Sequence, residues 1–93
     1  MKARAHVIVA GRVQGVFFRV ETKRQAEKYN VNGWVRNMPD GNVEAVFEGE
    51  EDNVKQLIKF CQHGPLVAEV TNVNVIREPF RDEFRRFEVK HGY

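Results

Sequence analysis

Nine residues, Gly11 to Arg19 (GRVQGVFFR), constrain this chain more than any other stretch, because an alternating strand pattern runs into them and a helical pattern runs out. Two glycines four apart free the backbone to bend and to approach a ligand, and no acid interrupts the segment. The side chains of Val13, Val16, Phe17 and Phe18 are expected to anchor the bend, with Arg12 and Arg19 flanking it as fixed positive charges. No Gly-Lys-Ser/Thr follows, and three glycines at dinucleotide-fold spacing are absent, so neither common nucleotide loop is present.

The elements on either side follow from periodicity. Val7, Val9 and Val13 alternate with Ile8 and predict a first strand over His6 to Val13. Phe18, Thr22, Ala26 and Tyr29 recur at helical spacing, predicting a helix that ends at Asn30. Asn32 to Asn37 reads as a second strand around Trp34 and Val35. Met38-Pro39-Asp40-Gly41 then suits a type I turn followed by a left-handed glycine. The return strand, Asn42 to Glu48, sets Val43, Ala45 and Phe47 toward a core and Glu44, Val46 and Glu48 on a mostly solvated face.

Val54, Leu57, Ile58 and Cys61 mark a second helix, with Glu50, Glu51 and Asp52 at its N-terminal end, where the helix dipole favours acids, and Gly64-Pro65 stopping it. Glu69 to Ile76 is a fourth strand and Phe87 to Lys90 a short fifth. The Arg- and Glu-rich residues between them, with Phe80 and Phe84, read as a loop pinned by aromatics. The resulting order is a split βαβ arrangement of the α+β class, βαββαβ, with a mostly antiparallel sheet and two helices on one face. Residues 1–93, 42% of them apolar, suit one domain.

Charge is segregated along the chain. Met1 to Arg36 carries eight Lys/Arg against two acids, whereas Asn37 to Val54 carries six acids and no base. A basic first third fits either nucleic acid or a small anionic substrate, and composition does not choose between them. The single cysteine excludes an internal disulfide framework and any CxxC site, and suits a reducing cytoplasm. The early apolar run is too short for a signal peptide and no membrane-length segment follows, so a soluble, unprocessed chain is expected. His6, His63 and His91 lie far apart with no metal-ligand spacing and are read as ordinary surface or partly buried residues.

The two predicted helix starts differ. The second brings its own acids. The first follows Gln14-Gly15-Val16-Phe17 with no Ser, Thr, Asp or Asn to cap it. Open N–H groups on Gly15, Val16, Phe17, Phe18 and Arg19, together with the Arg19 guanidinium, would cradle a tetrahedral anion, most naturally phosphate. The plainer alternative is a tight turn whose N–H groups face water. A second cluster, Gly33-Trp34-Val35-Arg36-Asn37, ends the second strand beside the hairpin turn. There Asn37 is either a group that orients a water or an ordinary turn-flanking residue.

Together, Val9 to Arg19 and the cluster Gly33 to Asn37 with Gly41, Val43 and Gly49 resemble the two signatures of the acylphosphatase family. The resemblance implies a small ferredoxin-like domain that hydrolyses the carboxyl–phosphate bond of acyl phosphates, releasing inorganic phosphate, without metal or organic cofactor. It makes Arg19 and the backbone N–H groups of residues 15–19 the phosphate cradle, and Asn37 the holder of the attacking water. Expected with it are a monomer and no nucleic-acid or membrane partner. An RNA-binding module on the same element order, and a phosphate-binding domain without turnover, are the alternatives. The GVFFRV stretch lies at a bend, however, and not on a strand where bases could stack.

Overall fold

A computed structural model describes residues 1–91. The chain runs β1 (Lys2–Arg12), α1 (Phe18–Lys28), β2 (Asn32–Asn37), β3 (Val43–Glu50), α2 (Glu51–Cys61), β4 (Glu69–Glu78) and β5 (Phe87–Val89). The five strands form one sheet in the order β4-β1-β3-β2-β5, antiparallel throughout except for the parallel β2–β5 pair. Both helices cover one face, as the element order predicts for a ferredoxin-like α+β fold. Phe18 and Ala26 of α1 and Val54, Leu57 and Cys61 of α2 meet Val7, Val9, Val35, Ala45 and Phe47 of the sheet in a continuous apolar core. The Phe47 and Phe87 rings stack at 5.9 Å and close the β5 side.

Three expectations need correcting. First, β1 begins at Lys2, four residues before the apolar alternation, because the charges of Lys2 and Arg4 pair in register with Glu50 and Glu48 on β3. Second, β3 has no solvated face: Val43 to Gly49 is buried on both sides, and Glu48 is only 3% exposed. The two helices cover one face, and on the other His6 and Arg36 cover Glu44 while Arg4 and the segment between β4 and β5 cover Glu48.

Third, that segment is indeed a loop, but carboxylates hold it more than aromatics do. Glu48 accepts the Arg81 and Glu83 N–H groups at 2.8 and 3.0 Å, and Arg4 reaches Glu48, Glu78 and Glu83 at 3.2, 2.8 and 2.8 Å. The Arg4 guanidinium lies 5.3 Å from the Phe84 ring centroid, whereas Phe80 is exposed. At the start of α2, Glu50 stands at the cap position but makes no side-chain cap bond, so the acids there serve the dipole and ion pairs rather than capping. Among the described residues, no helix is long and apolar enough to cross a membrane.

Candidate functional site

The bend after β1 is forced at its entry. The β1–β4 register shifts between Ala10 and Gly11, and Gly11 has φ +124°, where a Cβ would stand 2.1 Å from the Glu69 carbonyl oxygen. The strand shifts register there, stays paired with β4 through Arg12, and then turns across the end of the core. Gly15 needs its freedom for a different reason: its φ is +73° but a Cβ would meet open space, so the demand is purely conformational.

Val13, Val16 and Phe18 anchor the bend, as expected from the sequence. Phe18 is buried and meets the Phe60 ring at 5.8 Å. Phe17 does not anchor it. At φ 65° and ψ 19° it is left-handed, its ring turns outward, and it is 72% exposed.

Phe17 is also the N-cap of α1, with no side-chain cap bond. The first intrahelical bond runs from the Glu21 N–H to the Phe17 carbonyl at 3.0 Å. The N–H groups of Gly15, Val16, Phe17, Phe18 and Arg19 come before it and donate to no acceptor among the described residues. Five consecutive open donors thus stand at the positive end of the helix dipole.

Asn37 reaches the same place from the end of β2. Strand alternation turns Arg36 to the far face of the sheet, where Glu44 accepts its Nε–H at 2.7 Å, and leaves Asn37 on the helix side. Glu44 also meets His6 Nε2 at 2.7 Å. Burial alone would raise the Glu44 carboxyl, but the bonds from His6 and Arg36 outweigh it and hold Glu44 below the usual carboxylate range. The Asn37 Oδ1 atom is buried without a hydrogen-bond partner among the described residues. Such an orphan acceptor is uncommon and points to a ligand. It lines a cavity of about 210 Å³ with Val13, Gly15, Phe17, Phe18, Arg19 and Val20. The two sequence clusters therefore meet in one cavity.

Two contributors had no signal in the sequence. Gln14 spans bend and hairpin, its Nε2 donating to the carbonyls of Met38 and Asn42 at 2.8 Å each. It ties the glycine bend to the turn that follows Asn37. His91, set aside on sequence grounds, sits with Nδ1 3.3 Å from Arg19 Nη1. The parallel β2–β5 pairing and the bond from the Lys90 N–H to the Val35 carbonyl at 2.9 Å carry the chain there. Neither contact has a spacing that periodicity could reveal.

Cys61 is buried in the core, where burial pushes its thiol up to about 12, so it offers no nucleophile. Among the described residues, no group of three or more His, Cys, Asp or Glu is placed to hold a metal ion.

Known proteins resemble this chain along nearly its whole length. A family model described as Acylphosphatase matches residues 5–89. A curated relative named acylphosphatase, from Syntrophobacter fumaroxidans, is 50% identical over 98% of this chain and 94% of its own. Another, from Rubrobacter xylanophilus, is 54% identical over 94% of this chain and 79% of its own. Among solved structures, an acylphosphatase from Coxiella burnetii superimposes with a TM-score of 0.90 at 38% identity, covering 96% of this chain and 93% of that one.

Proposed function

The chain belongs to the acylphosphatase family and hydrolyses acyl phosphates, and on that premise we propose that the cavity between the α1 N-terminus and Asn37 binds the substrate phosphate and directs water onto it. In this reading Arg19 and the N–H groups of Gly15, Val16, Phe17, Phe18 and Arg19 hold the phosphoryl oxygens, and Asn37 holds the attacking water. The observation that supports it is that Gly15, Phe17, Phe18 and Arg19, whose N–H groups are unclaimed, line one cavity with Asn37, whose amide oxygen has no partner among the described residues.

Each part has a task the chemistry requires. Phosphoryl transfer spreads charge over the equatorial oxygens, and preorganised donors stabilise that charge without reorganising during the reaction. Oδ1 of Asn37 accepts a hydrogen bond from the water and fixes its approach in line with the phosphorus. The water oxygen bonds to phosphorus as the phosphorus–oxygen bond to the acyl group breaks. The bonding pair leaves on a carboxylate, whose conjugate acid has a pKa of roughly 4, so no general acid is needed. The water's proton passes to a phosphoryl oxygen, giving inorganic phosphate. No metal or organic cofactor enters this scheme. The domain works as a cytoplasmic monomer, in keeping with its buried, unpaired thiol.

Arg19→Ala and Asn37→Ala are each expected to lower kcat by about 10² or more with the fold intact, the loss typical of deleting a preorganised donor. Hydrolysis of an aryl acyl phosphate, with a chelator present and inorganic phosphate as competitor, measures this. Near-normal turnover in either variant would overturn its role, and turnover abolished by the chelator would overturn the metal-free scheme. His91, beside Arg19, is the imidazole best placed to compete for the proton. The expected kcat–pH profile is the same for the native protein and His91→Ala. A rise of kcat with pH that vanishes in His91→Ala would move the proton onto the imidazole instead.

A further inference from the structure

Phe17 combines two features that packing does not explain. It adopts a left-handed backbone that disfavours every residue with a Cβ and that glycine would accept freely. It also leaves its ring 72% exposed, so burial does not offset the strain. Its neighbours Val16 and Phe18 are buried, so the core lies within reach of this segment and the ring is nevertheless turned away from it. Val20, three residues on along α1, is 52% exposed. Both residues line the cavity that Gly15, Arg19 and Asn37 share.

Strain held at a cavity by an exposed aromatic invites a functional reading. Val13 and Phe18, which are buried, form the floor of the cavity, and Phe17 and Val20 form its mouth. An acyl phosphate bound through its phosphate at the α1 N-terminus has its acyl substituent directed outward, past that mouth. Among the described residues lining the cavity, Arg19 is the only charged one, and it is the phosphate's partner in the reading above.

Building on the phosphate reading above, we propose that Phe17 and Val20 form an acyl-side wall that selects substrates with an aromatic or branched apolar acyl group. The left-handed turn at Phe17 then serves both halves of the substrate. It leaves the backbone N–H in the cradle and sets the ring where the acyl group passes. A ring against a ring gains apolar burial and an edge or offset-stacked contact, and a methyl group has too little surface to do the same.

The test compares kcat/KM for benzoyl phosphate and acetyl phosphate in the native protein, Phe17→Gly and Val20→Ser, with inhibition by inorganic phosphate measured in each. Glycine keeps the positive φ, so Phe17→Gly removes the ring without adding strain. The benzoyl-to-acetyl ratio is expected to fall about tenfold in Phe17→Gly and about threefold in Val20→Ser. Phosphate inhibition in Val20→Ser is expected to stay within about twofold of native. An unchanged ratio in both variants would overturn the wall. If phosphate inhibition survives that result, the cradle still stands, whereas phosphate failing to compete in the native protein would remove the cradle itself.

Discussion

Gln14 shows how much a single amide can organise. One nitrogen donates to two carbonyls on opposite sides of the hairpin turn, Met38 and Asn42, and thereby sets the distance between the bend and Asn37. Gln14→Ala is expected to cost about 1–2 kcal/mol of stability through the lost bonds. It is also expected to lower kcat by about tenfold or more through misplacement of Asn37, with phosphate inhibition nearly kept. Urea unfolding and steady-state kinetics on one preparation check both, and native kcat in the folded variant would show that the tie is not needed. Arg19 and Asn37 could be singled out from the sequence because residue type, an uncapped helix start and a strand end near a turn mark them. Gln14 and His91 could not. Their partners lie 24, 28 and 72 residues away, and a side chain bonding to distant backbone, or to a ring across the molecule, leaves no periodic trace.

At the scale of elements, β2 was fully readable, Asn32 to Asn37, because a left-handed Asn30 and the turn after Met38 fence it on both sides. β3 was readable to within two residues at its ends, running to Glu50 and not Glu48, but not in environment. Glu44 and Glu48 look like solvent-facing residues until His6 and Arg36 are seen to cover the first, and Arg4 and the β4–β5 loop the second. Glu48 is the hinge of that difference. Burial alone would raise its carboxyl, but the Arg81 and Glu83 N–H groups and then Arg4 more than reverse this and lower it. A folded carboxyl held below its unfolded value stabilises fully above the unfolded pKa, near 4.3, and loses that contribution as pH falls through the lower folded value. Urea midpoints are therefore expected to decline from about pH 5 downward. In Glu48→Gln that decline should flatten, with about 3 kcal/mol lost at neutral pH as a buried ion pair is broken. Parallel pH curves for the two proteins would exclude Glu48 as the source.

Across the whole molecule, the segregated charge turns inward. The basic β1 lies beside the acidic β3 in the sheet, so Arg4 meets Glu48, His6 meets Glu44, and Arg36 of β2 meets Glu44. Part of what reads along the chain as a basic third with an acidic answer is, in space, a set of cross-strand pairs made by Lys2, Arg4 and Arg36. The protein is expected to elute as a monomer in size-exclusion chromatography and to give no salt-dependent shift of RNA at submicromolar concentration, and such a shift would reinstate the RNA-binding alternative. The sheet order has a further consequence, for the time course of folding. β1, made first, ends between two strands made much later: Lys2 sits opposite Glu50 and Arg4 opposite Glu78, while β2 waits for Phe87 to complete its other edge. Each pairing must close a long loop before it gains contacts. Collapse around the helices can start early, but the sheet that aligns bend and hairpin is joined only when nearly the whole chain is available, so the cavity between α1 and β2 is expected to be among the last parts to form.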